Sequence, residues 1–350
     1  MHIRRKTRRV KVGNLEIGRN SPISVQSMTN TDTKNISDTV SQIKRMEKEG
    51  CELVRVAVPD LESCCSLPLI KKEINIPLVA DIHYDYKLAL KSIESGVDGL
   101  RINPGNIGND EKIKLVIKSA KRINLPIRFG INSGSLDKNI LKKYKKPTPG
   151  ALVESAVNVI KILDELNYHN VIFSIKSTNT INTIEANNIF SSKHDYPLHL
   201  GITEAGPSFQ GIIKSSVGIG SLLFQGIGDT IRVSLTGDPV EEIKVGYEIL
   251  KVLHLRQRSP DLISCPTCGR CKVDLSKIVK KVERKICNIN KPLTIAIMGC
   301  MVNGPGEARE ADIGVAFDKK SGVLFKKGKI LGKYSSEIII KKLLEEIESM

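Results

Sequence analysis

The chain has 350 residues, with 54 Lys and Arg against 38 Asp and Glu, for a formal charge of +16. Its length excludes a single small module and allows one large domain or two of ordinary size. Hydrophobic residues make up 40% of the chain, which excludes global disorder, and no apolar run approaches the roughly 20 residues that span a bilayer. We therefore expect a cytoplasmic protein with no membrane partner.

The positive charge raises the question of nucleic-acid binding. Trp is absent, aromatic residues make up 4% of the chain, and the lysines are spread along its length rather than gathered in one block. Side chains that could stack on bases are therefore scarce. We expect no nucleic-acid partner, and a basic, zinc-stabilised nucleic-acid-binding protein is kept as the alternative hypothesis.

From residue 23 to about residue 255, short β-branched runs alternate with polar turns and stretches of helical periodicity. Eight such alternations predict an α/β fold and favour a (β/α)8 TIM barrel over an open doubly wound sheet. Helices are expected, for example, at Asp38–Lys48, Ala151–Leu166 and Val240–Leu253. The predicted strands are Ile23–Ser27, Leu53–Val58, Leu78–His83, Gly99–Asn103, Ile127–Asn132, Val171–Lys176, Leu198–Thr203 and Thr230–Leu235.

The sequence changes in character after Pro260. A cysteine-rich turn is followed by a Lys-rich helix, about Leu275–Ile286, and by two predicted strands, Leu293–Met298 and Ile313–Phe317. A hairpin and a terminal helix complete the chain. About 90 residues suffice for a small α+β domain with its own core. We therefore predict two domains: residues 1–258 form a barrel that binds the substrate, and residues 259–350 form an α+β domain.

Five of the predicted strands carry a cation between apolar neighbours. Barrel strands are packed on both faces, and a buried unpaired guanidinium costs several kcal/mol. We expect these side chains to converge on the open mouth of the barrel, where barrel enzymes bind substrates, and to bind a polyanion such as a diphosphate. In the alternative, each Arg forms a structural ion pair with a neighbouring carboxylate. The cations are Arg55, Arg101, Arg128, Lys176 and Arg232, and the polar residues near the same strand ends are Asp81, His83, Asn103, Asn132, Thr203, Glu204 and Ser234.

Four of the eight cysteines form a pattern. Cys265, Cys268 and Cys271 lie within one turn, and Cys300 follows a predicted strand. Clustering at two-residue spacing indicates a metal site rather than inert buried thiols or a disulfide framework. A tight cysteine turn together with a distant cysteine is suited to an iron-sulfur cluster or to Zn²⁺, and the spacing leaves both open.

Several longer segments resemble one family, the 4-hydroxy-3-methylbut-2-en-1-yl diphosphate synthases, which are iron-sulfur reductases of the methylerythritol phosphate route to isoprenoids. The likeness extends over nearly the whole chain, and the motifs together are specific to this family. The matching segments are Val25-Gln-Ser-Met-Thr-Asn-Thr31, Val79-Ala-Asp-Ile-His83, Leu100-Arg-Ile-Asn-Pro-Gly-Asn-Ile-Gly108, Leu198-His-Leu-Gly-Ile-Thr-Glu-Ala205, Gln225-Gly-Ile-Gly-Asp-Thr-Ile-Arg-Val-Ser234, Ser264-Cys-Pro-Thr-Cys-Gly269 and Gly299-Cys-Met-Val-Asn-Gly-Pro-Gly-Glu307.

The resemblance implies a [4Fe-4S] cluster in the α+β domain, held by Cys265, Cys268, Cys300 and Glu307. It implies the reductive ring opening and dehydration of 2-C-methyl-D-erythritol 2,4-cyclodiphosphate to (E)-4-hydroxy-3-methylbut-2-enyl diphosphate, with two electrons from reduced flavodoxin or ferredoxin. It also implies a head-to-tail homodimer, in which the cluster of one subunit caps the barrel of the other.

The resemblance also assigns roles to the strand residues. Asp81, His83 and Glu204 are expected beside the reacting carbons as catalytic groups together with Glu307, with Glu204 as the proton donor. The expected substrate-binding residues are Arg55, Arg101, Arg128, Asn132, Lys176, Arg232 and Ser234.

One residue departs from the family pattern as we expect it, because Cys271 stands at a position where a different residue type is expected. We interpret Cys271 as a bystander rather than a competitor of Glu307 for iron, since three adjacent thiols on one cluster would strain a short turn. A third hypothesis is a redox-inactive barrel synthase with a zinc-bound lid.

Overall fold

The computed structural model describes residues 3–286, 289, 291–301, 306 and 309–350. The chain divides into two compact units, Met1–Arg256 and Gln257–Met350. Glu307 and Cys287 lie outside the described residues. None of the described helices is long and apolar enough to cross a membrane.

The first unit begins with a hairpin that the sequence did not predict. Strands β1 (Val10–Val12) and β2 (Leu15–Ile17) pair antiparallel across a two-residue turn, in which Gly13 has φ +58°. The apolar side chains of the hairpin pack against Leu53 and Val79, which lie near the starts of their strands. The hairpin therefore covers the amino-terminal end of the barrel described next.

Eight parallel strands form the barrel, which confirms the predicted fold class. They are β3 (Ser24–Met28), β4 (Leu53–Ala57), β5 (Leu78–Ile82), β6 (Gly99–Ile102), β7 (Ile127–Asn132), β8 (Val171–Lys176), β9 (His199–Leu200) and β10 (Thr230–Ile231). Their order in the sheet is β8-β7-β6-β5-β4-β3-β10-β9, and a parallel bridge between Phe173 and Leu198 joins the two end strands. Strands β9 and β10 are shorter than predicted, because the chain leaves the sheet after two residues in each.

Helices surround the barrel, and their apolar faces pack against its strands in one large core. Every α-helix of this unit except α8 begins at an Asp, Asn or Thr whose side chain accepts a hydrogen bond from a first-turn amide. The helices are α1 (Ile36–Lys48), α2 (Leu61–Glu73), α3 (Tyr86–Glu94), α4 (Asp110–Arg122), α5 (Lys138–Tyr144), α6 (Pro149–Glu165), α7 (Thr180–Ser191), α8 (Ser208–Phe224) and α9 (Pro239–Val252).

In its described residues, the second unit is a five-stranded mixed sheet with two helices. Strands run in the order β11-β12-β13-β14-β15, with β11, β12 and β13 parallel and the last two antiparallel. Both helices pack into one apolar core on the sheet. Strand β11 was not predicted. The elements are β11 (Asp261–Ser264), α10 (Leu275–Ile286), β12 (Thr294–Met298), β13 (Ile313–Phe317), β14 (Ser321–Lys326), β15 (Lys329–Ser335) and α11 (Ile339–Ser349).

Candidate active site

The five strand cations lie inside the barrel and within one another's electrostatic influence. Arg101, Arg128 and Lys176 are 6%, 5% and 7% exposed, so they are buried, and Arg101 also lines the cavity described below. Glycines on other strands leave room for them. A Cβ at Gly130 would lie 2.7 Å from Arg101 Nε, and a Cβ at Gly201 would lie 2.7 Å from Lys176 Nζ. The barrel interior is thus built around long cationic side chains.

Asp81 is the shared partner of two of these cations. Its carboxylate oxygens lie 3.2 Å from Arg55 Nε and 3.0 Å from Arg101 Nη1. Burial by itself would raise the pKa of Asp81, but the Arg55 and Arg101 guanidiniums hold that pKa at about 2. Burial lowers the pKa of Arg55 to about 9, although the negative charge of Asp81 opposes this shift. The Arg55 guanidinium therefore stays charged at neutral pH. Asp81 is therefore an anion across the physiological range.

A second buried carboxylate belongs to Glu242 on α9. Its two oxygens lie 3.2 Å from Nε and 3.2 Å from Nη2 of Arg232, and the carboxylate also accepts hydrogen bonds from Ser27 Oγ and Leu235 N. Arg232 Nη1 and Arg55 Nη2 both approach the Met28 sulfur, at 3.9 and 2.9 Å. Neither Glu242 nor Met28 was singled out from the sequence as a site residue.

Arg128 and Lys176 have no carboxylate partner among the described residues. Arg128 Nη1 donates to Gln26 Oε1, whereas its buried Nη2 has no hydrogen-bond partner. Burial, and then the charges of Arg128 and Arg55, lower the pKa of Lys176 well below its ordinary value. The structural ion-pair alternative therefore holds for Arg55, Arg101 and Arg232 and fails for these two.

The barrel interior consequently carries a surplus of positive charge. Among the described residues, the five cations face two carboxylates, Asp81 and Glu242. Desolvated charges without counter-ions are costly, so this interior is suited to a multiply charged anion. A diphosphate is such an anion, and guanidiniums bind its oxygens in pairs.

His199 was missed as a candidate from the sequence. It is 1% exposed on β9, and neither ring nitrogen has a hydrogen-bond partner among the described residues. His199 pairs in register with Thr230, which pairs with Ser24. The hydroxyls of Thr230 and Ser24 also lack a hydrogen-bond partner in the part of the chain that the structure describes. Burial, and then Arg128 and Lys176, lower the pKa of His199 well below its ordinary value. The signal was present, because His199 is a polar residue inside a predicted barrel strand.

A cavity of about 480 Å³ opens at the carboxyl ends of the strands. This volume suits a small-molecule ligand. Six of its lining residues were candidates from the sequence, whereas the candidates Asp81 and Ser234 are not among the lining residues. The six are His83, Arg101, Asn103, Asn132, Thr203 and Glu204.

Two residues of this cavity have distinctive geometry. Glu204 adopts φ +52°, a left-handed conformation that is uncommon for a non-glycine residue and often occurs at functional sites. The Asn132 side-chain amide lies 3.2 Å from Arg101 Nη2, so this cavity residue contacts one of the buried cations. The cavity and the cationic interior thus form one continuous candidate site in the first unit.

In the second unit, Cys265 and Cys300 lie at the same end of the sheet. Cys265 and Cys300 follow the carboxyl ends of the neighbouring parallel strands β11 and β12, and Gly299 N donates to Cys265 Sγ at 3.3 Å. A Cβ at Gly299 would lie 2.4 Å from Cys271 Sγ and 3.4 Å from Cys265 Sγ. Cys271 therefore packs beside Cys265, whereas Cys268 is exposed.

The thiols of Cys265 and Cys271 lie against Gly299, which precedes Cys300 in the chain. Soft thiolates in this arrangement are the ligand type that iron-sulfur clusters take. Among the described residues, no three His, Cys, Asp or Glu side chains are already arranged around a metal position. Glu307, the expected fourth ligand, lies outside those residues.

The fold and the site together define a class of protein: a TIM-barrel enzyme with a cationic substrate site and a separate cysteine-bearing unit. The model of the GcpE TIM-barrel domain matches residues 7–247, and that of the GcpE protein C-terminal domain matches residues 261–349. The chain belongs to the GcpE family.

Its relatives are named 4-hydroxy-3-methylbut-2-en-1-yl diphosphate synthase (flavodoxin). The protein from Caldanaerobacter subterraneus subsp. tengcongensis is 57% identical over 348 residues, covering 99% of this chain and 98% of the relative. Those from Clostridium perfringens and Geobacter sulfurreducens are 56% and 51% identical over 99% of this chain and 99% and 98% of their own length. Among solved structures, 7,8-dihydropteroate synthase from Vibrio fischeri ES114 covers 71% of this chain and 98% of its own, with 12% identity and a TM-score of 0.49, too low to support an inference.

Proposed function

We propose that this chain catalyses the reductive ring opening and dehydration of 2-C-methyl-D-erythritol 2,4-cyclodiphosphate to (E)-4-hydroxy-3-methylbut-2-enyl diphosphate. It is an oxidoreductase of non-mevalonate isoprenoid biosynthesis. The relatives' shared name supports this assignment. The structural observation that carries it is the pair of buried cations without carboxylate partners, Arg128 and Lys176, because a doubly charged cyclic diphosphate supplies the missing negative charge.

The substrate diphosphate is proposed to bind in the barrel interior. Arg128 and Lys176 neutralise its charge, while Arg55, Arg101 and Arg232 are held in position by their carboxylate partners and donate through their remaining N–H groups. Asn132 and Ser234 complete the proposed binding set. Because Asp81 and Glu242 fix three of the guanidiniums before the substrate arrives, little side-chain ordering is left to binding.

The reacting carbons are proposed to lie in the mouth cavity, beside His83 and Glu204. Glu204 is exposed to the cavity and is the proposed proton donor to the hydroxyl that leaves as water. Asp81 contributes differently. The low pKa of its carboxyl excludes it as a proton donor near neutral pH, so its proposed part in catalysis is to hold Arg55 and Arg101 in place.

The proposed cofactor is a [4Fe-4S] cluster held by Cys265, Cys268, Cys300 and Glu307. When bound, it supplies the two electrons in single steps and a Lewis-acidic iron. Reduced flavodoxin is the proposed electron donor, with ferredoxin as the alternative, and the relatives' name supports flavodoxin. The described cysteines are all free thiols, which agrees with a proposed cytoplasmic location, where thiols stay reduced.

The test is anaerobic turnover of the cyclodiphosphate with reduced flavodoxin. The wild type is expected to be active, Glu307→Ala inactive, and Lys176→Met weakened mainly in substrate affinity. Lys214→Met, at an exposed position on α8, is the matched control and should resemble the wild type. Absence of reductant-dependent turnover in the wild type would refute the proposal.

Metal analysis separates the alternatives. Anaerobically purified protein should contain iron and sulfide in equal amounts, be brown and bleach with dithionite. A colourless zinc protein would favour the redox-inactive synthase or the nucleic-acid binder. The relatives give the nucleic-acid alternative no support.

We also propose the head-to-tail homodimer that the resemblance implies. Mixing Lys176→Met subunits, impaired in the barrel, with Cys300→Ser subunits, impaired in the cluster unit, tests it. If the site is completed in trans, mixed dimers should regain a fraction of wild-type turnover. No recovery after verified subunit exchange would mean that each subunit completes its own site.

A further inference from the structure

A row of exposed cations runs from the cysteine turn along helix α10. We call the six side chains Arg270, Lys272, Lys277, Lys280, Lys281 and Lys285 the basic strip; all are exposed. The same stretch of chain contains only two acidic residues, Asp274 and Glu283. The inner face of α10, with Leu275, Val282 and Ile286, packs in the core of the second unit. The strip is therefore held outward by the burial of the opposite helix face.

The strip lacks the ion pairs that are present on several other charged helix faces. Lys114, Lys244 and Lys342 pair with Glu165, Glu241 and Glu345 at 2.8 to 2.9 Å. None of the six strip side chains makes such a pair with any residue that the structure describes. Lys277, Lys281 and Lys285 are moreover spaced four residues apart, which places like charges in one row. Such spacing weakens an isolated helix, because like charges four residues apart repel each other.

The strip adjoins the proposed cluster site. Arg270 stands between Cys268 and Cys271 in the chain, and Lys272 N donates to Gly299 O at 3.2 Å, beside the point where Cys265 and Cys271 meet. From Lys277 to Lys285 the helix advances about 12 Å. Positive charge is thus concentrated on the outer surface next to the thiols, where a protein that delivers electrons has to approach.

We propose that the basic strip is the docking surface for the protein electron donor, a flavoprotein with an acidic face. This inference rests on the proposed function, because that function requires a donor. Unpaired surface cations attract an acidic partner over about a Debye length and speed its encounter without the large desolvation cost of a buried pair. Cations without carboxylate partners attract an acidic protein more strongly than paired cations do, because the carboxylate of an ion pair would cancel the electrostatic field of the cation.

The test reverses the charge of three strip residues in the holoenzyme, as Lys277→Glu/Lys281→Glu/Lys285→Glu. The matched control is Lys319→Glu/Lys320→Glu/Lys329→Glu, which makes the same charge change at exposed positions of the same unit. At low ionic strength the strip variant should raise the KM for reduced flavodoxin at least ~tenfold and lose most of the salt dependence of the rate. The control should stay within about threefold of the wild type.

Two further readouts separate this proposal from the proposed function. Turnover driven by dithionite and methyl viologen should be unchanged in both variants, because small reductants need no docking surface. Binding of oxidised flavodoxin, measured by calorimetry, should weaken in the strip variant alone. Equal flavodoxin binding and equal KM in the two variants would overturn the docking proposal. It would also be overturned if the wild-type protein bound single-stranded RNA but not flavodoxin. Failure of the wild type with dithionite would instead refute the proposed function, and the binding measurement would still decide the role of the strip.

Discussion

Arg232 and Glu242 form a two-point ion pair inside the barrel, with Nε and Nη2 of the guanidinium each 3.2 Å from a carboxylate oxygen. Glu242 is 3% exposed and also accepts hydrogen bonds from Ser27 Oγ and Leu235 N. The carboxylate therefore links α9 to β3 and to the segment after β10. It is the counter-ion that keeps Arg232 positioned at the candidate site.

Glu242→Gln is expected to destabilise the barrel by roughly 3 to 5 kcal/mol, because it leaves the Arg232 guanidinium without its counter-ion. The neighbouring Glu241→Gln is the control. Its carboxylate pairs with Lys244 at the surface, and the substitution should cost less than about 1 kcal/mol. Urea unfolding of the two variants measures the difference. Equal stabilities would show that the Arg232–Glu242 pair contributes no more than a surface pair.

Binding of a diphosphate should become weaker as the pH rises. The pKa values of Lys176 and His199 are both lowered by burial and neighbouring cations, so the ligand-free barrel holds fewer protons than these groups would in water. A bound dianion raises both pKa values, so binding takes up protons and is favoured at low pH.

Calorimetry with inorganic pyrophosphate between about pH 6 and about pH 8, in two buffers of different ionisation enthalpy, measures this proton uptake. Lys176→Met should remove most of it, whereas Lys214→Met should leave it unchanged. Equal proton exchange in the wild type and in Lys176→Met would contradict the interpretation, because the ionisation of pyrophosphate itself contributes to both measurements alike.

Cys271→Ser is expected to retain its iron and sulfide, whereas Cys268→Ser and Cys300→Ser should lose them. The Cys271 thiol donates to Val273 O at 3.2 Å, and a serine hydroxyl keeps this hydrogen bond. Iron, sulfide and electron paramagnetic resonance measurements on reduced samples compare the three variants. The opposite result, with loss in Cys271→Ser and retention in Cys268→Ser, would make Cys271 the ligand.

Gly299→Ala should impair cluster loading, because its Cβ would lie 2.4 Å from Cys271 Sγ. If steric displacement of that thiol is the cause, the double variant Gly299→Ala/Cys271→Ala should recover iron content. Gly220→Ala on α8 is a suitable control, since a Cβ there would lie within 4 Å of none of the described neighbours. Loss of iron in the double variant as well would point to a requirement of the backbone at Gly299.

The amino-terminal hairpin should contribute to barrel stability. Ile17 is fully buried against the barrel, so Ile17→Ala is expected to cost about 2 to 5 kcal/mol. Leu15→Ala, at a half-buried position of the same strand, should cost clearly less. Thermal unfolding measures both. Equal small costs would show that the barrel is stable without the packing of the hairpin.

Much of the candidate site was predictable from local sequence. The strand cations stand out because charged residues interrupt β-branched runs, and His83, Asn132 and Glu204 stand out because they follow those runs. Cys265 and Cys300 were predicted to lie together from the turn spacing and the strand end. The hairpin β1–β2 was not predictable in this way, because its three-residue strands are too short to show alternation.

The sequence by itself determined the eight strand–helix repeats, the positions of the cations and the cysteine spacing, because each of these is a local pattern. Tertiary structure alone decided which cations have a counter-ion. Arg128 meets Gln26, which is 102 residues away in the chain, whereas Arg101 meets Asp81 on the adjacent strand. Such pairings depend on strand register and on side-chain reach across a closed barrel, and neither quantity is encoded in the neighbours of a residue along the chain.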